Sequence, residues 1–126
     1  VLLSVTESQG IQSDLIPRIA TGFCGGIART SSICGAVSGA IMAVNLCYGR
    51  MEAGNSTEKN YAKVRELIGL FEAQFDTVNC RELTGCDLAT REGQQLFKAN
   101  NIIARCKHFS QEATRMALRI IRESDA

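Results

Sequence analysis

Six cysteines in 126 residues are the feature of this chain most able to do chemistry. They stand at Cys24, Cys34, Cys47, Cys80, Cys86 and Cys106, so the successive spacings are 10, 13, 33, 6 and 20. No CxxC occurs, which removes the support for a thioredoxin-like motif or a zinc ribbon. The spacing that invites chemistry is Cys80-x5-Cys86. Arg81 to Thr84 can form one helical turn closed by Gly85, and across such a turn two sulfurs can meet in a disulfide or face one ion. Cys34 has a different claim. Ser31 and Ser32 are N-cap candidates, which puts Cys34 in the first turn of the helix that follows. The helix dipole there favours an anion, so the spacing predicts a lowered thiol pKa. Cys106 opens the last expected helix, and the same argument applies to it. Against all of these stands the plain alternative of a small buried hydrophobe, because unpaired cysteine is among the most buried residue types.

His108 is the only histidine. With Cys80, Cys86 and Cys106 it could complete a Cys3His zinc site, although the spacing is no standard zinc signature and a solvated histidine is the simpler reading. Four cysteines could instead hold an iron–sulfur cluster, again without a ferredoxin spacing. No local Ser/His/Asp signature or paired-carboxylate motif is present. The Gly22 to Gly26 stretch lacks GxxxxGK[ST] and GxGxxG and has no strand before it. Its glycines are read as letting the backbone pass close to Cys34.

These side chains must be held by helices. Residues 33–48, ICGAVSGAIMAVNLCY, are apolar on nearly every side, which marks a helix for the middle of a protein. It is short for a membrane span, which wants about 20 residues. Gly35, Gly39 and Ala43 recur every four positions and form a groove where neighbours can approach closely. Cys34 and Cys47 lie about 20 Å apart along this helix, so they cannot bond to each other, and Cys47 is read as core. Before the central helix, residues 1–8 read as the end of a helix stopped by Gly10. A helix over 14–22 is expected, with Pro17 in its first turn and an apolar face of Leu15, Ile16, Ile19, Ala20 and Phe23. After it, Tyr61, Val64, Leu67, Ile68, Phe71 and Phe75 fall at helical steps over 56–76. A short helix is expected around 91–98, and a last one over 106–123 with Phe109, Ala113, Met116, Ala117, Ile120 and Ile121 buried.

The expectation is therefore an all-α compact bundle of about five or six helices around a central Gly/Ala-rich helix at about 34–48, forming one cysteine-rich domain over 1–126. Fourteen basic and thirteen acidic side chains give no footprint for nucleic acid or an anionic membrane. A disulfide-stapled secreted scaffold would be shorter and rich in loops, so a reducing cytoplasm is the favoured compartment.

Cys34-Gly35-Ala36-Val37-Ser38-Gly39, preceded by Gly22-Phe23-Cys24-Gly25-Gly26-Ile27-Ala28-Arg29 and followed by Tyr48-Gly49-Arg50, resembles the C_GCAxxG_C_C family. Asn79-Cys80-Arg81-Glu82-Leu83-Thr84-Gly85-Cys86-Asp87-Leu88 and Cys106 fit it as well, so the resemblance covers nearly the whole chain. Members are small helical proteins credited with redox chemistry. The resemblance implies no particular role for Cys24 or Cys47. It also implies a further cysteine in an N-terminal segment, which the sequence starting at Val1 does not include.

Cys34, Cys80, Cys86 and Cys106 are accordingly expected to gather at one end of the central helix. Such a cluster suits three kinds of function. One is thiol–disulfide exchange or electron transfer, as in a thiol–disulfide oxidoreductase, with a redox protein or a small thiol or disulfide as partner. Another is metal binding, by an iron–sulfur cluster or zinc on the same four cysteines. The last is a structural or adaptor role, in which the small-residue groove serves a partner or a homodimer.

Overall fold

A computed structural model describes residues 1–124. In chain order they form α1 (Leu2–Ser8), a 3-10 segment (Arg18–Phe23), α2 (Cys24–Ile27), α3 (Gly35–Tyr48), α4 (Glu58–Phe75), α5 (Cys80–Thr84), α6 (Arg91–Ala99) and α7 (Ile103–Ser124). No strand occurs among the described residues, and one isolated antiparallel bridge joins Ile33 to Asn79. The all-α expectation holds. Seven helices stand where five or six were expected, because α2 and α5 are single turns of four and five residues.

The all-round apolarity of α3 has a packing cause. The helix lies against α1, α4, α7 and the 3-10 segment at once. Ala36, Val37, Ala40, Ala43 and Val44 are buried in a core shared with Leu67 and Phe71 of α4 and with Ala113, Ala117, Ile120 and Ile121 of α7. Each fully buried Val, Leu, Ile or Phe side chain contributes about 1.5–3 kcal/mol relative to exposure. Phe71, Phe75 and Phe109 meet as tilted and edge-on rings that pin α4 to α7. The Tyr48 hydroxyl donates to the Ile121 carbonyl at 3.1 Å and ties the far end of α3 to α7.

The groove of small residues is used within the chain. A Cβ on Gly39 would meet Val1 Cβ at 3.3 Å, so α1 lies there. A Cβ on Gly35 would meet the Phe23 carbonyl oxygen at 2.9 Å, so the start of α2 lies there. The groove is thus filled by this chain's own segments.

Three expectations about helix limits need correction. The segment expected as a helix over 14–22 is instead a turn followed by a 3-10 segment that starts only after Pro17, with a cis Ile16–Pro17 bond. Its expected apolar face is not buried: Leu15 and Ile19 are 63% and 65% exposed. Neither Ser31 nor Ser32 caps the central helix, since Cys34 itself occupies the N-cap position and its carbonyl accepts from Val37 and Ser38. The last helix begins at Ile103, a turn earlier than expected, so Cys106 does not open it.

Candidate functional site

The site is assembled by the segments on either side of the Ile33–Asn79 bridge. Cys34 N–H donates to the Val78 carbonyl at 2.8 Å, and Cys80 N–H donates to the Ser32 carbonyl at 2.6 Å. In an antiparallel pairing, residues that flank the bridged pair point to the opposite side from it, so Cys34 and Cys80 share one face. Diagonal neighbours of this kind sit about 7–8 Å apart, just beyond the span of a disulfide. Two short hydrogen bonds therefore bring together thiols that are 46 positions apart in the chain.

The α5 turn adds the third thiol. Asn79 Oδ1 accepts from Glu82 N–H at 3.0 Å and starts the turn, and Gly85 ends it with φ of +71°. This is the single turn read from the sequence. Cys80 and Cys86 are both buried, packed with Leu88 and Ile102 and with the half-buried Phe97 and Cys106. The Thr84 hydroxyl donates to the Cys80 carbonyl at 2.8 Å and accepts from Cys86 N–H at 3.2 Å, holding both cysteines to one turn. Arg105 donates to the Leu83 carbonyl at 3.2 Å and docks the first turn of α7, with Cys106 on it, against α5.

Cys34, Cys80, Cys86 and Cys106 all carry unbonded thiols and lie close enough to feel one another's charge. The expected convergence at one end of α3 is present in the geometry. The expected pKa lowering is not. Burial pushes the Cys34 thiol above its ordinary value of 9.0, and the N–H groups of Ala36 and Val37 at the helix start pull it back only in part. The helix dipole does favour the thiolate, but it is worth about 0.3–1 kcal/mol, less than desolvation costs here. Burial likewise raises Cys80, helped by the charge of Cys34 and opposed by a hydrogen bond from Thr84. Cys106 is pushed up to about 11, by burial first and then by the neighbouring Cys34 and Cys80. Its N–H already donates to the Ile102 carbonyl at 3.1 Å, so no orphan helix-end donor is left there to favour a thiolate.

A cavity of about 400 Å³ opens onto this cluster. Cys34, Cys80 and Cys106 line it, among mostly apolar neighbours that include Phe23, Phe97 and Phe109. Cys24 lines it too, and Cys24 is exposed. No particular role for Cys24 follows from the family resemblance, and nothing in its spacing shows that α2 carries it to the cavity. Cys47 is exposed near the other end of α3 and does not join the cluster, which corrects its reading as core. His108 does not join it either. It is exposed, sits about 200° round α7 from Cys106, and meets the Phe75 ring edge-on at 5.6 Å. The Cys3His arrangement is therefore not formed. No group of three or more His, Cys, Asp or Glu among the described residues is arranged to hold a metal ion.

The segment beneath the cluster departs most from ordinary backbone. Gly25, Gly26, Ile27, Ala28 and Arg29 all have positive φ, between +50° and +68°, which makes α2 the start of a left-handed helical turn. Non-glycine residues in this conformation cost roughly 1–2 kcal/mol each. The turn is held by Ser32 N–H donating to the Gly26 carbonyl at 2.7 Å and by the Thr30 hydroxyl donating to the Ile27 carbonyl at 2.7 Å. Ser31 Oγ accepts from Leu88 N–H at 2.9 Å and fastens it to the loop after Cys86. Its consequence is close approach: a Cβ on Gly26 would fall 2.5 Å from Cys80 Cβ and 3.0 Å from Cys80 Sγ. Gly26 thus admits Cys80, while the Phe23–Cys24 backbone passes close to Gly35, next to Cys34, as the glycine-rich stretch suggested. Backbone strain maintained against a cluster of reactive groups is a mark of functional sites.

The family model described as "Putative redox-active protein (C_GCAxxG_C_C)" matches residues 1–120, and the chain belongs to that family. No curated protein and no solved structure gives a significant match. No helix among the described residues is long and apolar enough to cross a membrane.

Proposed function

We propose that this member of a redox-active family works by thiol–disulfide exchange, with Cys34 and Cys80 as the central pair and Cys86 and Cys106 as the thiols that exchange with them. The observation that carries this reading is the placement of Cys34 and Cys80 on one face of the Ile33–Asn79 bridge, open to a cavity that Cys106 also lines. A two-electron step between them needs their Cα atoms to come within the roughly 4.4–6.8 Å that a disulfide spans. Cys86, 1% exposed and one turn from Cys80, can take over the bond to Cys80 and so free Cys34 for another cycle. A redox protein or a small thiol or disulfide supplies and removes the electrons, and the protein acts as a thiol–disulfide oxidoreductase.

The test is turnover of a disulfide substrate by fully reduced protein and by a Cys34→Ala variant. Loss of turnover in the variant, with its helix content unchanged, is the expected result. Unchanged turnover would remove Cys34 from the mechanism. Peptide mapping after partial oxidation is expected to find Cys34–Cys80 and Cys80–Cys86 among the bonds formed.

A further inference from the structure

Thiols that are buried and electrostatically crowded need a way to meet a partner in solvent. Cys24 is exposed and lines the thiol cavity, and it also lines a second, more open cleft of about 620 Å³. The charged side chains of that cleft are Arg29 and Lys98, with Thr21 and Gln94 as further polar lining. Neither cation takes part in an ion pair found among the described residues. The left-handed turn folds the stem of Arg29 back over Gly25, the residue after Cys24, where an added Cβ would lie 3.1 Å from Arg29 Cγ. On the other side, Cys24 Cα would touch a Cβ on Gly35 at 3.4 Å, and Gly35 is the residue after Cys34.

We propose that Cys24 is the access thiol of the cluster, and that the cleft beside it binds small disulfides carrying carboxylates, which Arg29 and Lys98 recognise. The proposal rests on the thiol–disulfide reading above and names its substrate class. The Cys24 thiolate attacks one sulfur of the bound disulfide; a bond forms between them, the disulfide bond breaks, and one half leaves as a thiolate. That leaving thiolate takes the proton of the Cys34 thiol. Cys34 sulfur then attacks Cys24 sulfur, the mixed disulfide breaks, and the second half leaves as a thiolate that solvent protonates. Two protein thiols are oxidised to one Cys24–Cys34 disulfide, and one small disulfide is reduced to two thiols. Exchange with Cys80 passes the oxidation inward. The raised pKa values of the buried thiols agree with this order, since they keep little thiolate at neutral pH.

The experiment uses reduced protein with three disulfide probes: oxidised glutathione (anionic), 2-hydroxyethyl disulfide (neutral) and cystamine (cationic). Each rate is divided by that of a simple free thiol with the same probe. The anionic probe is expected to be favoured over the cationic one by roughly tenfold, an ordinary size for electrostatic selection. The preference should vanish in an Arg29→Gln, Lys98→Gln double variant. In Cys34→Ser the glutathione adduct should accumulate on Cys24, and in Cys24→Ser the rate should fall at least roughly tenfold, since attack is left to the buried thiols. A Cys24→Ser variant oxidised at the wild-type rate, or an adduct found on another cysteine, would overturn the proposal while leaving thiol–disulfide exchange standing. No reaction of the wild-type thiols with any probe would defeat both.

Discussion

Gly26→Ala is the substitution that most directly probes how the strained turn and the thiol cluster depend on each other. Gly26 has φ of +64°, a conformation that costs a non-glycine residue about 1–2 kcal/mol. The new methyl would also fall 2.5 Å from Cys80 Cβ and 2.9 Å from the Ser32 backbone nitrogen, and overpacking of this kind costs about 1–3 kcal/mol. The sum, about 2–5 kcal/mol, is a large share of the total of about 5–15 kcal/mol that holds a domain together. Urea unfolding of the reduced protein, followed by helix content, measures it. The decisive comparison is a double-mutant cycle with Cys80→Gly, which removes the side chain that the methyl strikes. The double variant should be more stable than the sum of the two single losses by at least about 1 kcal/mol, because the overpacking against Cys80 disappears while the φ cost and the Ser32 contact remain. Losses that add to within about 0.5 kcal/mol would mean that Gly26 and Cys80 do not press on one another, and the account of why the turn is left-handed would fail.

The two small residues of the α3 groove should separate in the same assay. Gly35→Ala is expected to destabilise by overpacking, about 1–3 kcal/mol, because its methyl meets the Phe23 backbone oxygen. Gly39→Ala should be close to neutral, since the methyl meets Val1 Cβ at 3.3 Å and the Leu2 nitrogen at an ordinary 3.6 Å, while Ala gains about 1 kcal/mol in helix propensity. Thr84→Val removes the hydroxyl that stabilises a Cys80 thiolate and accepts from Cys86 N–H, so it should slow alkylation of Cys80 and cost about 1–3 kcal/mol for the unpaired amide. Cys106 gives a pH test. Its folded pKa of about 11 lies above the ordinary 9.0, so the unfolded chain loses this proton first as pH rises. Stability present below pH 9.0 should therefore decline up to about pH 11, and Cys106→Ala should flatten that decline in urea titrations taken at successive pH values. A decline of equal size in the variant would show that other groups cause it.

The regular helices were legible because their signal is local. The 3- and 4-residue steps of Leu67, Ile68, Phe71 and Phe75, or of Ala113, Met116, Ala117 and Ile120, need only the chain itself to be read. Gly85 closing a turn after Cys80 is equally local. What was hidden depended on partners far away in sequence. Cys34 becomes the N-cap because the chain is held extended up to Cys34 by hydrogen bonds to Val78 and Cys80, about which Ser31 and Ser32 carry no signal. Positive φ at Ile27, Ala28 and Arg29 opposes intrinsic preference at each residue and is sustained only by Thr30, Ser32 and the Ser31–Leu88 contact. The pKa error has the same origin. Position in a helix can be guessed from sequence, but the burial that overrides the dipole exists only after α5 and α7 close over the site.

Raised thiol pKa values look unsuited to thiol chemistry, yet they fit the proposed division of labour. For a shift from 9.0 to about 11, the thiolate fraction of Cys106 at neutral pH falls about 100-fold, while the nucleophilicity of each thiolate rises about tenfold, because rate follows pKa with a slope near 0.5. The net cost is about tenfold against a substrate arriving from solvent. Against a neighbouring sulfur the comparison is different. A group held in place reacts as though present at effective concentrations of about 10⁵ M or more when well oriented, which outweighs a tenfold loss. Exchange among Cys34, Cys80 and Cys106 therefore stays favoured over their attack on passing disulfides despite the raised pKa values. A cluster of that kind keeps its electrons from chance oxidants and delivers them through the one of its cavity-lining thiols that solvent reaches freely, Cys24.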